Sequence, residues 1–342
     1  MQNAPIRIAC IGAGYFAQFH VEAWSRLNEV ELVALCDVDA KKAQALADTY
    51  AVPTTCAGID ELLDRVEVDF VDIITPPTTH AALIDQISSK GINIICQKPF
   101  TSSLEEAGKM VQLAQDRNVQ LYIHENFRFQ PWYRKIKGLK EQGTLGELHS
   151  IELKLRTGDG WGQDAYLSRQ PYFRTMPRLF MYETGIHYID VFRYLHGEIV
   201  EVYAKLKTLN SNIKGEDQAL VVFTFADGTT ALLDANRYNE SDTDDPRYTF
   251  GKITLEGSKG AVYIESDSTL FYKPLGEQRV QVEYERSNVN FAGDCVFHAQ
   301  SAMMTAYKGQ FNFETRAEVY LRNMAILEAV YESAETNLPV KV

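Results

Sequence analysis

The sequence predicts an α/β protein with an N-terminal doubly wound parallel sheet and a second, sheet-forming domain. Three observations carry this reading. Over the first third of the chain, short apolar runs alternate with amphipathic stretches, which is the pattern of βαβ units feeding a parallel sheet. A glycine turn, Gly12-Ala13-Gly14, follows the first apolar run at once. From Val200 to Tyr284 the chain is almost wholly strand-like, with alternating segments such as Leu220-Val221-Val222-Phe223-Thr224-Phe225.

Taken in order, Ile6 to Ile11 reads as a strand, Tyr15 to Leu27 as a helix, Val30 to Cys36 as a strand and the Ala-rich Lys41 to Tyr50 as a helix. Phe70 to Ile74 and Ile92 to Cys96 read as buried strands separated by a helix over Ala81 to Lys90. A helix from Leu104 to Arg117 and a strand from Val119 to Ile123 bring this domain to residue 125. Beyond Trp132-Tyr133-Arg134 the grammar changes. A helix runs to about Gln142, then a strand from Glu147 to Leu155, a Gly-, Trp- and Tyr-containing loop from Thr157 to Pro177, and a helix from Glu183 to Leu195. Asp227-Gly228 marks a hairpin, and the acidic cluster Asp242 to Pro246 reads as a loop. Two amphipathic helices close the chain, Asp294 to Tyr307 and Thr315 to Glu335. At roughly 150 residues per domain, 342 residues divide into a domain of 1–125 and one of 126–342, with the C-terminal helix packing back on the first.

Composition narrows the class of function. Hydrophobic residues at 45% and charged residues at 23% are ordinary globular values and argue against disorder. Lys and Arg number 34 against 46 Asp and Glu, for a net charge of −12, so a broad cationic surface for nucleic acid or anionic lipid is not expected. The five cysteines form no Cys-x-x-Cys pair, and Cys10, Cys36 and Cys96 sit in apolar runs; they read as reduced thiols of a cytoplasmic protein. No secretory pattern opens the chain, and no apolar run approaches the roughly 20 residues of a spanning helix.

Gly12-Ala13-Gly14-Tyr15-Phe16-Ala17 gives G-x-G-x-x-A between a strand and a helix. Side chains at the glycines would block both the tight turn and the approach of a pyrophosphate to backbone N–H groups at the positive helix end. Asp37 follows the second strand at the separation expected of the acid that binds the adenosine ribose hydroxyls, where it would repel a 2′-phosphate. NAD is therefore expected over NADP. Lys98 stands just after a buried strand, at the carboxyl edge where such sheets bind ligands, and Pro99 restricts the backbone there. Thr75-Pro76-Pro77-Thr78-Thr79-His80 ends the preceding strand as a wall for the cofactor, with His80 read equally as a contact or as a cap.

On the helix from Glu183, spacings of four, three and four place Glu183, His187, Asp190 and Tyr194 on one face. That face has three readings: a solvated surface, a metal site, or a base with its orienting partner. No third and fourth ligand at a recognisable spacing supports a metal. As a base, His187 has an ordinary pKa of about 6.5, suited to accepting a proton near neutrality.

With these motifs in order, the chain resembles the Gfo/Idh/MocA family of NAD(P)-dependent oxidoreductases, named for glucose–fructose oxidoreductase, inositol dehydrogenase and a rhizopine-catabolism protein. The resemblance covers essentially the whole chain. It is carried by the fingerprint through His20, Thr75-Pro76-Pro77-x-x-His80, Gln97-Lys98-Pro99, and Glu183-x-Gly185-x-His187-x-x-Asp190, with Asn126-Phe127-Arg128-Phe129-x-Pro131 and Glu328-Ala329-Val330-x-x-Ser333 in support. The family usually has Glu where Gln97 stands, and Asp where Glu183 stands.

The resemblance implies a Rossmann domain binding NAD through Gly12, Ala13, Gly14, Tyr15, Phe16, Asp37, Thr75, Pro76, Pro77, His80, Gln97, Lys98 and Asn126. It also implies an α+β domain whose open, mostly antiparallel sheet forms a homodimer or homotetramer, with substrate between that domain and the nicotinamide. The implied chemistry is hydride transfer from a secondary alcohol of a sugar, cyclitol or polyol, without a metal. His187 is the base, Lys98 the cation that binds the hydroxyl and steadies the developing alkoxide, and Glu183 the orienting group; exchange of the roles of Lys98 and His187 stays open. Arg128, Trp161, Tyr166 and Arg169 are expected to touch substrate, together with Tyr172 and Arg178. Two other activities fit the same motifs, a redox-neutral NAD-dependent glycoside-cleaving enzyme and a non-catalytic NAD-sensing regulator.

Overall fold

The structure, a computed structural model, describes residues 4–342. Two compact units divide the chain, one running to Asn126 and including Val296–Arg322, the other comprising Phe127–Cys295 and Asn323–Val342.

In the first unit, six strands run parallel: β1 (Ile6–Ile11), β2 (Val30–Cys36), β3 (Thr55–Cys56), β4 (Phe70–Ile73), β5 (Asn93–Gln97) and β6 (Leu121–His124). Their order is β3-β2-β1-β4-β5-β6. It reverses between β1 and β4, so the loops leaving those strands part and open a crevice at the carboxyl edge of the sheet. Helices α1 (Ala17–Ser25), α2 (Ala40–Tyr50), α3 (Ile59–Arg65), α4 (His80–Ser88) and α5 (Leu104–Asp116) make the connections. Local chemistry sets several boundaries. Asp39 accepts from Lys41 N to start α2. Ser103 Oγ accepts from Glu106 N and Glu106 Oε2 accepts from Ser102 N, two bonds that together start α5. The first helix begins at Ala17, two residues later than the apolar pattern suggests, because Gly14 to Phe16 are spent on the turn. The two-residue β3 and seven-residue α3 go beyond the sequence reading; elements so short leave no periodicity to detect.

The second unit is built on nine strands: β7 (Leu148–Arg156), β8 (Ile199–Lys207), β9 (Gln218–Phe225), β10 (Thr230–Asn236), β11 (Lys252–Gly257), β12 (Gly260–Ile264), β13 (Leu270–Pro274), β14 (Val280–Gln281) and β15 (Val340–Lys341). All neighbours are antiparallel except β7 and β10, giving the expected open, mostly antiparallel sheet in the order β14-β13-β12-β11-β7-β10-β9-β8-β15. On β9 the period-two pattern is clean: Ala219, Val221, Phe223 and Phe225 are buried, while Leu220 on the other face is 44% exposed. At the β9–β10 hairpin Gly228 takes φ +89° and Asp227 Oδ1 accepts from Thr229 N. Helix α6 (Pro131–Glu141) precedes the sheet and α7 (Ile186–Leu195) covers it, Phe192 meeting Phe223 edge-on. The acidic cluster is not wholly a loop. Asp245 accepts from Arg247 N and Pro246 opens a one-turn helix, α8 (Pro246–Thr249).

Helix α9 (Cys295–Gly309) packs Tyr307 edge-on against Phe70 of the first unit's sheet. Around the start of α10 (Ala317–Thr336), Thr315 Oγ1 just before the helix donates to Ile123 O of β6 and Tyr320 OH donates to Oε2 of Glu125, the residue after β6. Beyond Arg322, α10 counts with the second unit, where Ser333 Oγ accepts from Ala204 N of β8. All five cysteines are free and buried. Among the described residues no helix is long and apolar enough to cross a membrane.

Candidate active site

The turn after β1 is held from both sides. Gly12 has φ +106°, and a Cβ there would lie 2.6 Å from Ile74 O, so only glycine fits. Its N–H donates to Cys36 O at 2.7 Å. Gly14 is different, since a Cβ on it would meet nothing within 4 Å. No protein contact requires glycine there, and the open space leaves the backbone accessible, as a phosphate-binding turn needs. Asp37 Oδ2 accepts from Ala13 N at 2.6 Å and Oδ1 from Asp39 N at 2.7 Å, which locks the carboxylate beside the turn. A carboxylate has about four acceptor sites, so two protein bonds leave capacity for ribose hydroxyls. These residues fit a dinucleotide.

At the end of β4, Thr75 Oγ1 and Thr79 Oγ1 lie 2.6 Å apart, and Pro77 opens a single 3-10 turn. His80 is fully buried, with Nδ1 at 2.8 Å from Phe100 O and Nε2 at 2.8 Å from Thr75 O. Burial pushes its pKa down despite these carbonyls. The ring braces the β4 loop to the β5 loop, and both of its nitrogens face protein. Lys98 follows β5 directly, half-buried, with a cis peptide to Pro99. Its N–H donates to Gln97 Oε1 at 2.7 Å, and Gln97 Nε2 lies 2.8 Å from His20 Nε2. Asn126 is buried just beyond β6.

In the second unit, Met181–Gly185 form one π-turn that leads into α7, so His187 enters its helix from a wider turn than the regular spacing assumed. The His187 ring is buried and stacked on Phe127, centroids 3.8 Å apart and planes 5° from parallel. Of the polar face, His187 and Asp190 are buried, while Glu183 and Tyr194 are half-buried. Asp190 is wholly buried and takes two hydrogen bonds from Arg128, at 2.7 and 2.6 Å, and one from Asn323 Nδ2 at 2.7 Å. Glu183 is half-buried, and its charge acts on the Arg237 guanidinium and the Tyr172 phenol.

The loop of residues 157–177 is anchored by a buried cluster. Asp159 accepts from Arg237 Nε and Nη2, from Thr157 Oγ1 and from Arg169 Nη2, at 3.1, 2.5, 2.7 and 2.8 Å. Burial pushes the Asp159 carboxyl up, but these partners outweigh it and hold the group well below the usual carboxylate range. Arg237 also faces the rings of Tyr166 and Phe173. Tyr166 is buried, whereas Trp161 and Tyr172 expose about half their surface. Arg128, Arg169 and Arg178 all have internal carboxylate partners, Asp190, Asp159 and Glu328. The expected substrate arginines are thus engaged in holding their own unit together.

Sequence reasoning missed Asp159, Arg237 and Asp72, and it did not pair Arg128 and Asn323 with Asp190. Only Asp72 left a local signal, as a carboxylate inside the otherwise apolar run Phe70-Val71-Asp72-Ile73. Among the described residues no group of three or more His, Cys, Asp or Glu side chains is close enough to hold a metal.

Comparison with known proteins bears on both units. A family model described as the oxidoreductase family of NAD-binding Rossmann fold matches residues 6–125, and the GFO/IDH/MocA C-terminal domain matches residues 133–263. A D-apiose dehydrogenase of Paraburkholderia graminis is 27% identical over 349 residues, covering 98% of this chain and 89% of that protein. A D-apiose dehydrogenase of Rhizobium rhizogenes is 30% identical over 262 residues, 77% of this chain and 74% of that one. The crystal structure of an oxidoreductase from Agrobacterium radiobacter in complex with NAD+, L-tartaric acid and magnesium superposes with a TM-score of 0.90 at 26% identity, over 99% of this chain and 98% of that one.

Proposed function

This chain belongs to the Gfo/Idh/MocA oxidoreductase family, of NAD-binding Rossmann fold, and on that premise we propose that it oxidises a secondary alcohol of a sugar, cyclitol or related polyol. Bound NAD supplies the hydride acceptor, nicotinamide C4. Everything else falls to the chain's own side chains and backbone.

The N–H groups of the turn from Gly12 to Phe16 and the start of α1 meet the pyrophosphate, and Asp37 takes the ribose hydroxyls, disfavouring a 2′-phosphate. The observation that supports this half of the reading is the contrast between Gly12, which the fold requires, and Gly14, which has open space beside it and no protein contact that demands a glycine. Lys98 binds the substrate hydroxyl and stabilises negative charge growing on its oxygen. His187 accepts the hydroxyl proton, kept in one ring plane by Phe127. Glu183 orients the pair. The substrate class rests on the relatives that act on D-apiose and on the structural neighbour crystallised with L-tartaric acid, both polyhydroxylated. A homodimer or homotetramer through the open sheet belongs to the same proposal, and light scattering reads it.

The test is NADH formation from NAD, with NADP in parallel, on a panel of D-apiose, inositols, aldoses, sugar acids and deoxy sugars, with Lys98→Met as control. A hit lost in the control supports the dehydrogenase and names its substrate. Silence across the panel, with NAD binding demonstrated, would favour the redox-neutral lyase or the sensor.

A further inference from the structure

Behind Lys98 lies a buried polar chain, of which only Gln97 is among the residues read as binding the cofactor. Asp72, in the middle of β4, has no exposed surface. Its Oδ2 accepts from Trp24 Nε1 at 2.8 Å and lies 2.7 Å from His20 Nδ1. His20, also wholly buried, presents Nε2 to Gln97 Nε2 at 2.8 Å, and Gln97 Oε1 accepts from Lys98 N at 2.7 Å. The groups packed around His20 are the His124 ring at 3.9 Å between centroids, the edge of Phe16, and the Gln300 amide donating to His20 O. The Cys10 and Cys96 thiols lie close enough to Asp72 that its charge adds to burial in pushing their pKa up.

Counting donors and acceptors orders the chain. The Lys98 backbone N–H can only donate, so Gln97 must offer it the amide oxygen. The Gln97 NH2 then faces His20 Nε2, which must accept. A neutral imidazole has one donor and one acceptor, so the His20 proton sits on Nδ1 and is given to Asp72. Each link thereby fixes the next, from a carboxylate in the sheet to the peptide from which Lys98 leaves β5. A fully buried carboxylate with no protein donor on Oδ1 is an expensive way to hold α1 against a sheet, and apolar packing would serve that purpose at lower cost.

We propose that His20 and Asp72 are positioning residues: a neutral His20 with its proton on Nδ1, oriented by Asp72, fixes the Gln97 amide and through it the backbone of Lys98. This rests on the reading of Lys98 as the cation at the substrate hydroxyl, but its test needs no substrate. In protein labelled with 15N in histidine side chains and lysine backbones, resonances are assigned by loss in His20→Gln and Lys98→Met. Wild-type His20 should show a protonated Nδ1 and an unprotonated Nε2. Gln97→Glu, which offers acceptors on both sides, should convert the ring to the doubly protonated form. In His20→Phe the Lys98 amide should exchange with solvent at least about tenfold faster. His20→Gln, whose side-chain amide can accept from Gln97 and donate to Asp72, should recover most of that protection. Once a turnover substrate is in hand, His20→Phe should lower kcat on the order of 10–100-fold with KM for NAD little changed. A wild-type His20 protonated on Nε2 would overturn the proposal, as would an unchanged Lys98 amide in folded His20→Phe. If His20→Phe does not fold, failure of Gln97→Glu to alter the ring's protonation overturns it instead. Absence of turnover with every polyol would count against the proposed reaction and leave these spectra to decide the relay.

Discussion

Arg128 and Asp190, 62 residues apart in the chain, close on each other through two hydrogen bonds of 2.7 and 2.6 Å inside the second unit. The pair ties the start of that unit to α7, the helix that presents His187 three residues earlier. Asn323 joins it from α10, donating to Asp190 Oδ1 while accepting from Arg193. Asp190 thus belongs to the scaffold of the site.

Asp190→Ala should therefore be one of the most costly single changes in the second unit. It leaves a buried guanidinium and a buried amide without their acceptor, and breaking one side of such a pair typically costs about 3–5 kcal/mol. Urea or thermal denaturation measures this. A loss below about 1 kcal/mol would mean that Arg128 finds water or another acceptor without strain.

The two glycines of the phosphate turn should separate under mutation. Gly12→Ala combines a left-handed φ with a Cβ 2.6 Å from Ile74 O, so it should destabilise the first unit by more than about 1 kcal/mol and weaken NAD binding as a consequence. Gly14→Ala has open space around its Cβ and should leave stability within about 0.5 kcal/mol of wild type. On the proposed reading of the turn as a pyrophosphate cradle, it should still raise the Kd for NAD at least about tenfold, a difference of roughly 1.4 kcal/mol. Denaturation paired with NAD titration reads both arms. Unchanged NAD affinity in Gly14→Ala would remove the main support for that turn as a dinucleotide cradle.

How far the sequence reached depends on how local each signal is. The β1–turn–α1 segment, Asp37 and the strand-end lysine are written into short stretches whose residues constrain one another along the chain, and the parallel sheet follows from runs a few residues long. The π-turn at Met181–Gly185 inserts extra backbone into a stretch whose apolar spacing reads as ordinary helix, and only tertiary packing selects it. The pairing of Arg128 with Asp190 is not legible in the sequence, because partner choice across 62 residues leaves no periodicity behind. The same holds for Asp159 with Arg237, 78 residues apart, and for His20 with Asp72 and Gln97.

His187→Gln should lower turnover on the order of 10²–10⁴-fold while leaving NAD affinity within about twofold, since general base catalysis typically contributes that much and the ring lies in a different unit from the phosphate turn. Steady-state rates and NAD titration on the same preparation check it. Activity surviving near wild-type level would transfer the base role to Lys98 or to a water chain.

Asp159 is held below its ordinary value of 3.8: burial works against ionisation, and Arg237, Thr157 and Arg169 more than compensate. A group whose folded pKa is depressed contributes stability that is fully present above its unfolded pKa and is lost as pH falls through the folded one. The contribution of Asp159 should thus be constant from neutral pH down to about 4 and shrink below that. Asp159→Asn removes the charge that Arg237 needs while keeping shape, so it should be less stable than wild type at neutral pH. Part of that deficit, the loss of hydrogen-bond acceptors, persists at every pH; the charge-dependent part should narrow below about pH 4, as the unfolded wild-type chain takes up a proton on Asp159 that the folded one does not. Denaturation midpoints for both proteins from pH 7 to 3 measure the convergence. Parallel curves over that range would show that the Asp159–Arg237 pair anchors the loop through shape and hydrogen bonds rather than through charge.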